Sequence, residues 1–319
     1  MRNITLNNHT IARRHSRASQ TLLRFSNLTV DAIDDIVPLL SMSRTRANDF
    51  SIGGLLMWTD YFHYEYCIYG ETLFVKGVSE IHPELPAFSL PVGKMPLNHA
   101  VELIVSYCNE NHIPLRFSAI PTDRIDELRA IIPGREEELD DWSDYIYDAE
   151  ALATLSGKKF NKKRNHVNRF MTDNPDYCVE KLSDDNLGEV RDAYISWLVD
   201  SDIDAASATE ESLQTLKVID SFSRYPFEGI LLRGNGGRVV AFTMGEIIGD
   251  TLYSHIEKID HSVAGAGESI NKLFADYIIR TYPQVKYINR EEDAGDLGLR
   301  KAKESYHPVI KLGKFDVMV

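Results

Sequence analysis

The sequence predicts an α/β chain of the α+β kind, with two mixed sheets flanked by helices and one pattern used twice. Three observations predict it. Glycine turns at Gly70-Glu71, Gly234–Gly237 and Gly249-Asp250 sit between β-branched and aromatic runs, which marks antiparallel hairpins. Segments with apolar residues at helical spacing lie among those runs. A succession of helix, strand, short helix and strand begins at Asn98 and again at Glu268, with similar spacing from helix start to strand start.

The chain has 319 residues, room for two domains of roughly 150 residues each. The expected division is a tail over 1–23, a structural first copy over 24–156, and a second copy over 157–319 that carries the site. A net charge of −13 excludes a protein that binds nucleic acid with its whole surface, so any polyanion needs a local basic patch. Cys67, Cys108 and Cys178 are far apart with no CxxC, so neither a disulfide framework nor a zinc site is expected, and no metal is called for. No run reaches the ~18 apolar residues of a membrane-spanning helix. Arg2, Arg13, Arg14 and Arg17 precede no apolar core, so the start does not read as a secretory signal. The expected compartment is the cytoplasm.

In the first half, Thr29 is expected to cap a helix whose face is Val30, Ile33, Ile36, Val37 and Leu40. Gly53 to Asp60 reads as core. Tyr64–Tyr69 and Thr72–Val78 form a hairpin, and Ala87–Pro91 is strand-like. A helix opens at Pro96 and Asn98 and closes near Asn111. Leu115–Ile120 is a strand, Asp123–Ile132 a short helix, Arg135–Asp141 an acidic turn, and Trp142–Tyr147 a strand. Ala149–Leu155 is a short helix ended by Gly157.

The next segment, a helix over 157 to 174, is the one positive island. Lys158, Lys159, Lys162, Lys163, Arg164 and Arg169 occur with no acidic residue among them. Lys159 and Lys163 share a face, and Phe160, Val167 and Phe170 form a docking stripe. Like charges one turn apart repel, and an anion relieves them. With Asn165 and His166, this helix is expected to contact phosphates, for instance those of a tRNA along 157–169.

In the second half, Tyr177–Leu182 is a strand and Asp184 starts a helix through Leu198. Asp200–Ser207 reads as a loop, and Thr209 caps a helix to Phe222. Gly229–Arg233, Arg238–Ile248 and Thr251–Ile259 make an antiparallel meander. Gly265, Ala266, Gly267 and Ser269 then lie in a glycine-rich turn before a helix with Ile270, Leu273, Phe274, Tyr277 and Ile278 on its face. Backbone N–H groups at such a turn suit a pyrophosphate or an oxyanion. The turn is not a Walker loop, and the meander before it argues against a Rossmann fingerprint. Meander, glycine turn, helix, strand, helix and strand in that order is the pattern of the GNAT acyltransferase fold, here in tandem.

The last motif lies in Tyr287–Pro308. Arg290, Glu291, Glu292 and Asp293 cluster where a strand ends. Asp296 can cap a helix carrying Arg300, Lys301 and Lys303, and Pro308 stops it. Gly298-Leu-Arg-Lys-Ala-Lys-Glu-Ser-Tyr-His-Pro308 resembles the Gly-Leu-Arg-x-x-Lys-x-x-aromatic-x-Pro signature of the C-terminal domain of phosphatidylglycerol lysyltransferases. Gly157-Lys-Lys, Lys163-Arg-Asn165 and Asn289-Arg-Glu-x-Asp293 extend the likeness over most of 140–319. The resemblance implies relatives that move an amino acid from aminoacyl-tRNA to a lipid or a peptidoglycan precursor, with Lys303 matching a lysine near the donor ester. Those lysyltransferases carry a multi-span membrane domain that this sequence lacks, so the acceptor stays open: a lipid headgroup or a small molecule with an amine or hydroxyl.

Such transfer needs two substrates held together and a stabilised oxyanion, and no covalent intermediate. Lys303 and Arg300 are the candidate oxyanion partners, Glu291 or Asp293 the candidate proton acceptors, and His255 a second candidate base. Lys159, Lys163, Arg164, Asn165, Arg290 and His255 are candidate substrate contacts. Glu257 is expected on the same strand face as His255, Tyr306 reads as packing, and the 290–293 charges can pair with the basic helix. No tightly bound cofactor is expected. The donor is aminoacyl-tRNA on the basic helix and motif, or acyl-CoA on the glycine turn, and a non-catalytic anion-binding module is the third reading.

Overall fold

The computed structural model describes residues 22–200 and 210–319. The tail before Leu22, the loop expected over 201–207 and the cap expected at Thr209 lie outside the described residues. Two mixed sheets are present, each with helices against it, as expected of a tandem GNAT-like fold.

The first sheet runs β1 (Ser26–Asn27), β2 (Glu65–Ile68), β3 (Thr72–Val78), β4 (Pro86–Phe88), β6 (Arg116–Pro121), β15 (Lys314–Met318) and β7 (Arg135–Glu138), with β5 (Val92–Gly93) also paired to β3. The second runs β14 (Ile310–Leu312), β8 (Asp144–Asp148), β13 (Tyr287–Asn289), β12 (Thr251–Ile259), β11 (Val239–Ile248), β10 (Phe227–Arg233) and β9 (Cys178–Lys181). Each sheet holds one parallel pair, and a long helix makes each crossover. Helix α4 (Leu97–Asn111) joins β4 to β6, and α10 (Ala266–Thr281) joins β12 to β13.

Three apolar cores follow from strand alternation. On β3, Phe74 packs toward the face of α4 and α5 (Ile125–Ile131), whereas Leu73 and Val75 turn the other way. They join α1 (Ile33–Leu40), α2 (Ile52–Leu56), α8 (Leu187–Asp200) and α9 (Glu210–Asp220) in a core that reaches Leu231, Phe242, Met244 and Ile256 of the second sheet. The far face of that sheet is covered by α6 (Ala149–Thr154), α7 (Asn161–Asp173) and α10.

The sheets also exchange strands. β8 lies between β13 and β14 in the second sheet, although it comes from the first half of the chain. β15 follows β14 after Gly313 and crosses to the first sheet, between β6 and β7. The final strand expected from Val309 is therefore two strands in two sheets.

Two local expectations are corrected. The acidic segment from Arg135 is not only a turn, because Arg135–Glu138 pairs with β15 as an edge strand. Charged side chains are poor strand formers but suit an exposed edge, where they discourage further pairing. Thr29 has extended backbone but makes no side-chain cap, and a 3₁₀ turn at Val30–Ala32 leads into α1.

Candidate functional site

The site is built where β12 outruns its neighbour. Parallel pairing with β13 ends at Tyr253 with Asn289, and β12 continues alone on that side to Ile259. Its pairing with β11 skips one residue: Gly245 faces Ser254 and Met244 faces Ile256, so His255 is the bulge. The bulge breaks the alternation. Ile256 joins the core shared between the sheets, His255 meets Gly53 of α2, and Glu257 bonds Asn271 of α10 on the opposite face. The expectation that Glu257 shares the face of His255 is thereby corrected.

His255 is buried between two carboxylates. Its Nδ1 is 2.8 Å from Glu291 Oε1 and its Nε2 is 2.9 Å from Glu246 Oε1. Gly53 donates its N–H to the same Glu246 oxygen at 2.8 Å. A side chain at Gly53 would put a Cβ 2.3 Å from the imidazole, so only glycine lets α2 approach this closely. Burial alone would lower the imidazole pKa, but the bonds to Glu246 and Glu291 push it up to about 9. The ring is an imidazolium at neutral pH with both N–H groups occupied. It clamps Glu291 and has no lone pair for a base.

On the α10 side, Arg290 pairs with Glu257 at 3.0 Å and lies 5.1 Å from the centre of the Tyr306 ring. Lys163 sits 4.0 Å from the same ring and 3.6 Å from Glu268. Burial pushes the Lys163 ammonium below the usual lysine range. Asn271 donates to Glu257 at 3.2 Å, while its own Oδ1 and the hydroxyl of Ser269 are buried with no partner among the described residues. Arg290, Lys163, Glu257 and Tyr306 thus form one polar cluster on the α10 side of the second sheet.

The glycine turn is largely committed to packing. Gly265 has φ +78, and a Cβ there would lie 2.3 Å from the carbonyl oxygen of His166 on α7. Ala266 is buried, and Gly267 faces Ile259. The turn therefore seats α7 on α10 and thereby carries Lys163 to the cluster around Tyr306.

Helix α11 (Leu297–Glu304) supplies the motif side chains, and Asp296 caps it by accepting from Leu299 N–H at 2.8 Å. Lys303 is buried, and its Nζ donates to the carbonyls of Arg290, at 2.6 Å, and Glu292. Burial lowers its pKa. Arg300 grips Asp293 with two bonds, at 2.9 and 2.6 Å, and reaches Asp141 at 2.7 Å. Burial would raise the Asp293 pKa, yet the bonds from Arg300 and Tyr145 hold it at about 2.

The structure thus brings Arg290, Lys163, Glu291, His255 and Lys303 around one turn. It does not bring the whole basic helix there. Arg164 bends back to the carbonyls of Leu155 and Gly157 and to Asn161. Lys159 and Asn165 are exposed on the outer surface of this helical segment. The pairing considered between the 290–293 charges and the basic helix is not observed: Arg290 pairs with Glu257, Glu291 bonds His255 and Asp293 pairs with Arg300.

One charged group was not anticipated. Lys314 is buried beside Asp49 at 2.7 Å, Asp144 at 2.9 Å and Glu292 at 3.7 Å. Asn289 and the N–H of Asn48 also bond Asp144, at 2.9 and 2.6 Å. Burial pushes the Glu292 carboxyl up to about 8. The available signal was a charged residue inside each of two apolar strands. Among the described residues, no group of three or more His, Cys, Asp or Glu is placed to hold a metal ion, and no helix is long and apolar enough to cross a membrane.

A family model described as "Phosphatidylglycerol lysyltransferase, C-terminal" matches residues 41–317. A conserved protein of unknown function from Bacteroides thetaiotaomicron is 32% identical, with a TM-score of 0.85 over 93% of this chain and 100% of that one. L-PGS from Bacillus licheniformis shares the fold at 16% identity, with a TM-score of 0.58 over 80% of this chain and 83% of its own. An uncharacterised protein of Mycoplasmoides gallisepticum is 21% identical over 178 residues, which span 56% of each chain, so this chain covers about half the length of that relative.

Proposed function

The chain belongs to the phosphatidylglycerol lysyltransferase C-terminal family, and from that premise we propose that it transfers an aminoacyl group from aminoacyl-tRNA to an amine or hydroxyl acceptor. The observation that carries this reading is the meeting of Lys163, Arg290 and Lys303 at the open end of the β12–β13 pair, below the exposed lysines of the basic helix. The phosphates of the donor would lie along Lys158, Lys159 and Lys162, and its ester would enter between Lys163 and the Arg290–Glu292 turn. Lys303 has three N–H donors and uses two on carbonyls. The third would stabilise charge developing at the ester. Glu291, held by His255, would take the acceptor's proton. Asp293 and Arg300 would act through the shape of the turn rather than by contact. The acceptor would be a small molecule or a lipid headgroup. The second copy, from 157, would carry this chemistry, and the first would support it.

The test is single-turnover transfer from labelled aminoacyl-tRNAs to a pool of amine and hydroxyl acceptors. Lys303→Ala should lower the rate by about 10²-fold or more, the usual size of a lost oxyanion donor. Its thermal unfolding, read in parallel, should still be cooperative. Wild-type transfer in a folded Lys303→Ala protein removes Lys303 from the chemistry. A thermal upshift with acetyl-CoA and none with aminoacyl-tRNA replaces the donor, and neither response leaves an anion-binding module.

A further inference from the structure

The first sheet has an opening of its own. β4 and β6 meet in parallel at one register pair, Phe88 with Phe117. Beyond it Ala119 on β6 has φ +54, a conformation unfavourable for a residue with a Cβ. The resulting cleft has about 460 Å³ of free space between its walls, part of it open to solvent. The depth that takes a water-sized group is only about 40 Å³. Such a slot admits the end of an unbranched chain and excludes a nucleotide.

One wall is aromatic. Phe62 and Tyr64 stack with ring centres 5.4 Å apart, and Trp142 meets Phe62 edge-on at 6.4 Å. Gly77 makes room for this wall, since a Cβ there would lie 2.6 Å from the Tyr64 ring. The polar lining is Asp49, Glu80 and Lys314 with the hydroxyl residues Ser89 and Ser118, two acidic side chains to one basic. Lys314 is already committed to Asp49 and Asp144, with the Glu292 carboxyl 3.7 Å away. Glu80 accepts from the Tyr61 hydroxyl with Oε1, at 3.0 Å, while its Oε2 is buried with no partner among the described residues.

These features select a ligand. An anion would meet Glu80, while the Lys314 ammonium is already taken up by Asp49 and Asp144. A neutral apolar end would leave the buried Glu80 oxygen without a donor. A primary ammonium would donate to that oxygen and rest its methylenes against the rings, which attract cations by their quadrupoles. We propose that the β4–β6 cleft binds the ammonium end of an unbranched alkylamine, with Glu80 as its acceptor and Phe62, Tyr64 and Trp142 as its aromatic wall. The site is separate from the Arg290–Lys163 cluster. Glu292 lies between them, its carboxyl toward Lys314 and its carbonyl on Lys303. The amine can come from the side chain of an amino acid or from a free alkylamine.

Calorimetric titration of the full chain with n-pentylamine, n-pentanol and lysine methyl ester tests this without any transfer assay. The amine should bind at least about tenfold more tightly than the alcohol of equal length, and added salt should weaken it. Glu80→Gln should lower the amine affinity by about tenfold or more and leave the alcohol unchanged, and Phe62→Leu should weaken the amine less. Tighter binding of the lysine ester than of pentylamine assigns the site to an aminoacyl side chain, and equal binding to a free amine. Equal affinity for amine and alcohol, no heat from the amine at millimolar concentration, or an unchanged amine affinity in folded Glu80→Gln overturns the proposal. The amine–alcohol comparison on the wild-type chain decides even where a variant fails to fold.

Discussion

The ends of the β4–β6 and β12–β13 pairs arise in the same way and are furnished differently. In both, a long helix carries the chain over to a parallel strand and the pairing stops short. In the second sheet Arg290 and Lys163, partnered by Glu257 and Glu268, gather around Tyr306; in the first a cleft is lined by Glu80, Asp49 and Lys314 beside Phe62, Tyr64 and Trp142. The backbone crossover makes the gap and the side chains decide what enters it, so a repeated topology need not repeat a function. The two regions also differ in burial. Lys314 and Asp144 are 3% and 0% exposed at their side chains, whereas Arg290 and Glu257 keep 15% and 23%.

That contrast can be broken by truncation. Lys314→Ala strands two or three carboxylates in the interior and should cost about 3–5 kcal/mol. Arg290→Ala leaves Glu257 partly in water and should cost about 1–2 kcal/mol. Denaturant unfolding of both reads the difference, and equal losses would end the distinction. The His255 clamp, which joins the lobes, gives the next effect. Its folded pKa, near 9, lies above the ordinary 6.5. Its contribution is therefore complete below about pH 6.5 and is lost as pH rises through 9. That contribution is roughly 3 kcal/mol, since each tenfold gain in proton affinity on folding adds ~1.4 kcal/mol. His255→Gln should flatten stability between pH 6.5 and 9, and an unchanged slope would show that the ring is not charged. Gly265→Ala should cost about 1–3 kcal/mol, because φ +78 and the His166 carbonyl both oppose a Cβ. Hydrogen exchange should rise in α7 and not in α4. The smallest effect is Lys159→Glu: stability should change by less than about 0.5 kcal/mol, while salt-sensitive tRNA binding, followed by filter retention, should weaken.

Much of this architecture was legible in the sequence because it is local. The face of α10, the three-strand meander and the Asp296 cap each follow from spacing or from one residue type at a turn. The bulge at His255 was not legible, because alternation along one strand says nothing about a register skipped in its neighbour. The Lys314–Asp144 pair escapes for a related reason: the partners are distant in sequence and meet only after the strands exchange. At the site, Arg290 and Lys163 stand out in the sequence through their charge-rich motifs, but their meeting beside Tyr306 depends on how α7 sits on α10. The packing role of Gly265 against His166 was not legible either, because no spacing reveals which helix a turn will meet.

The exchanged strand β15 has a consequence for how the chain is made. It pairs with β6 and β7, so Lys314 must find Pro121 and Phe315 must find Glu138 across most of the second half. While the ribosome is still reading that half, the facing edges of β6 and β7 have no partner, and the first lobe waits as an incomplete sheet. Such long-range closure is slow and leaves strand edges open to pairing with other chains. Once β15 arrives, the two lobes are tied into one cooperative unit. A chain cut at Gly313 would keep β14 yet lose the strand that closes the first sheet, and would be prone to aggregate through those edges.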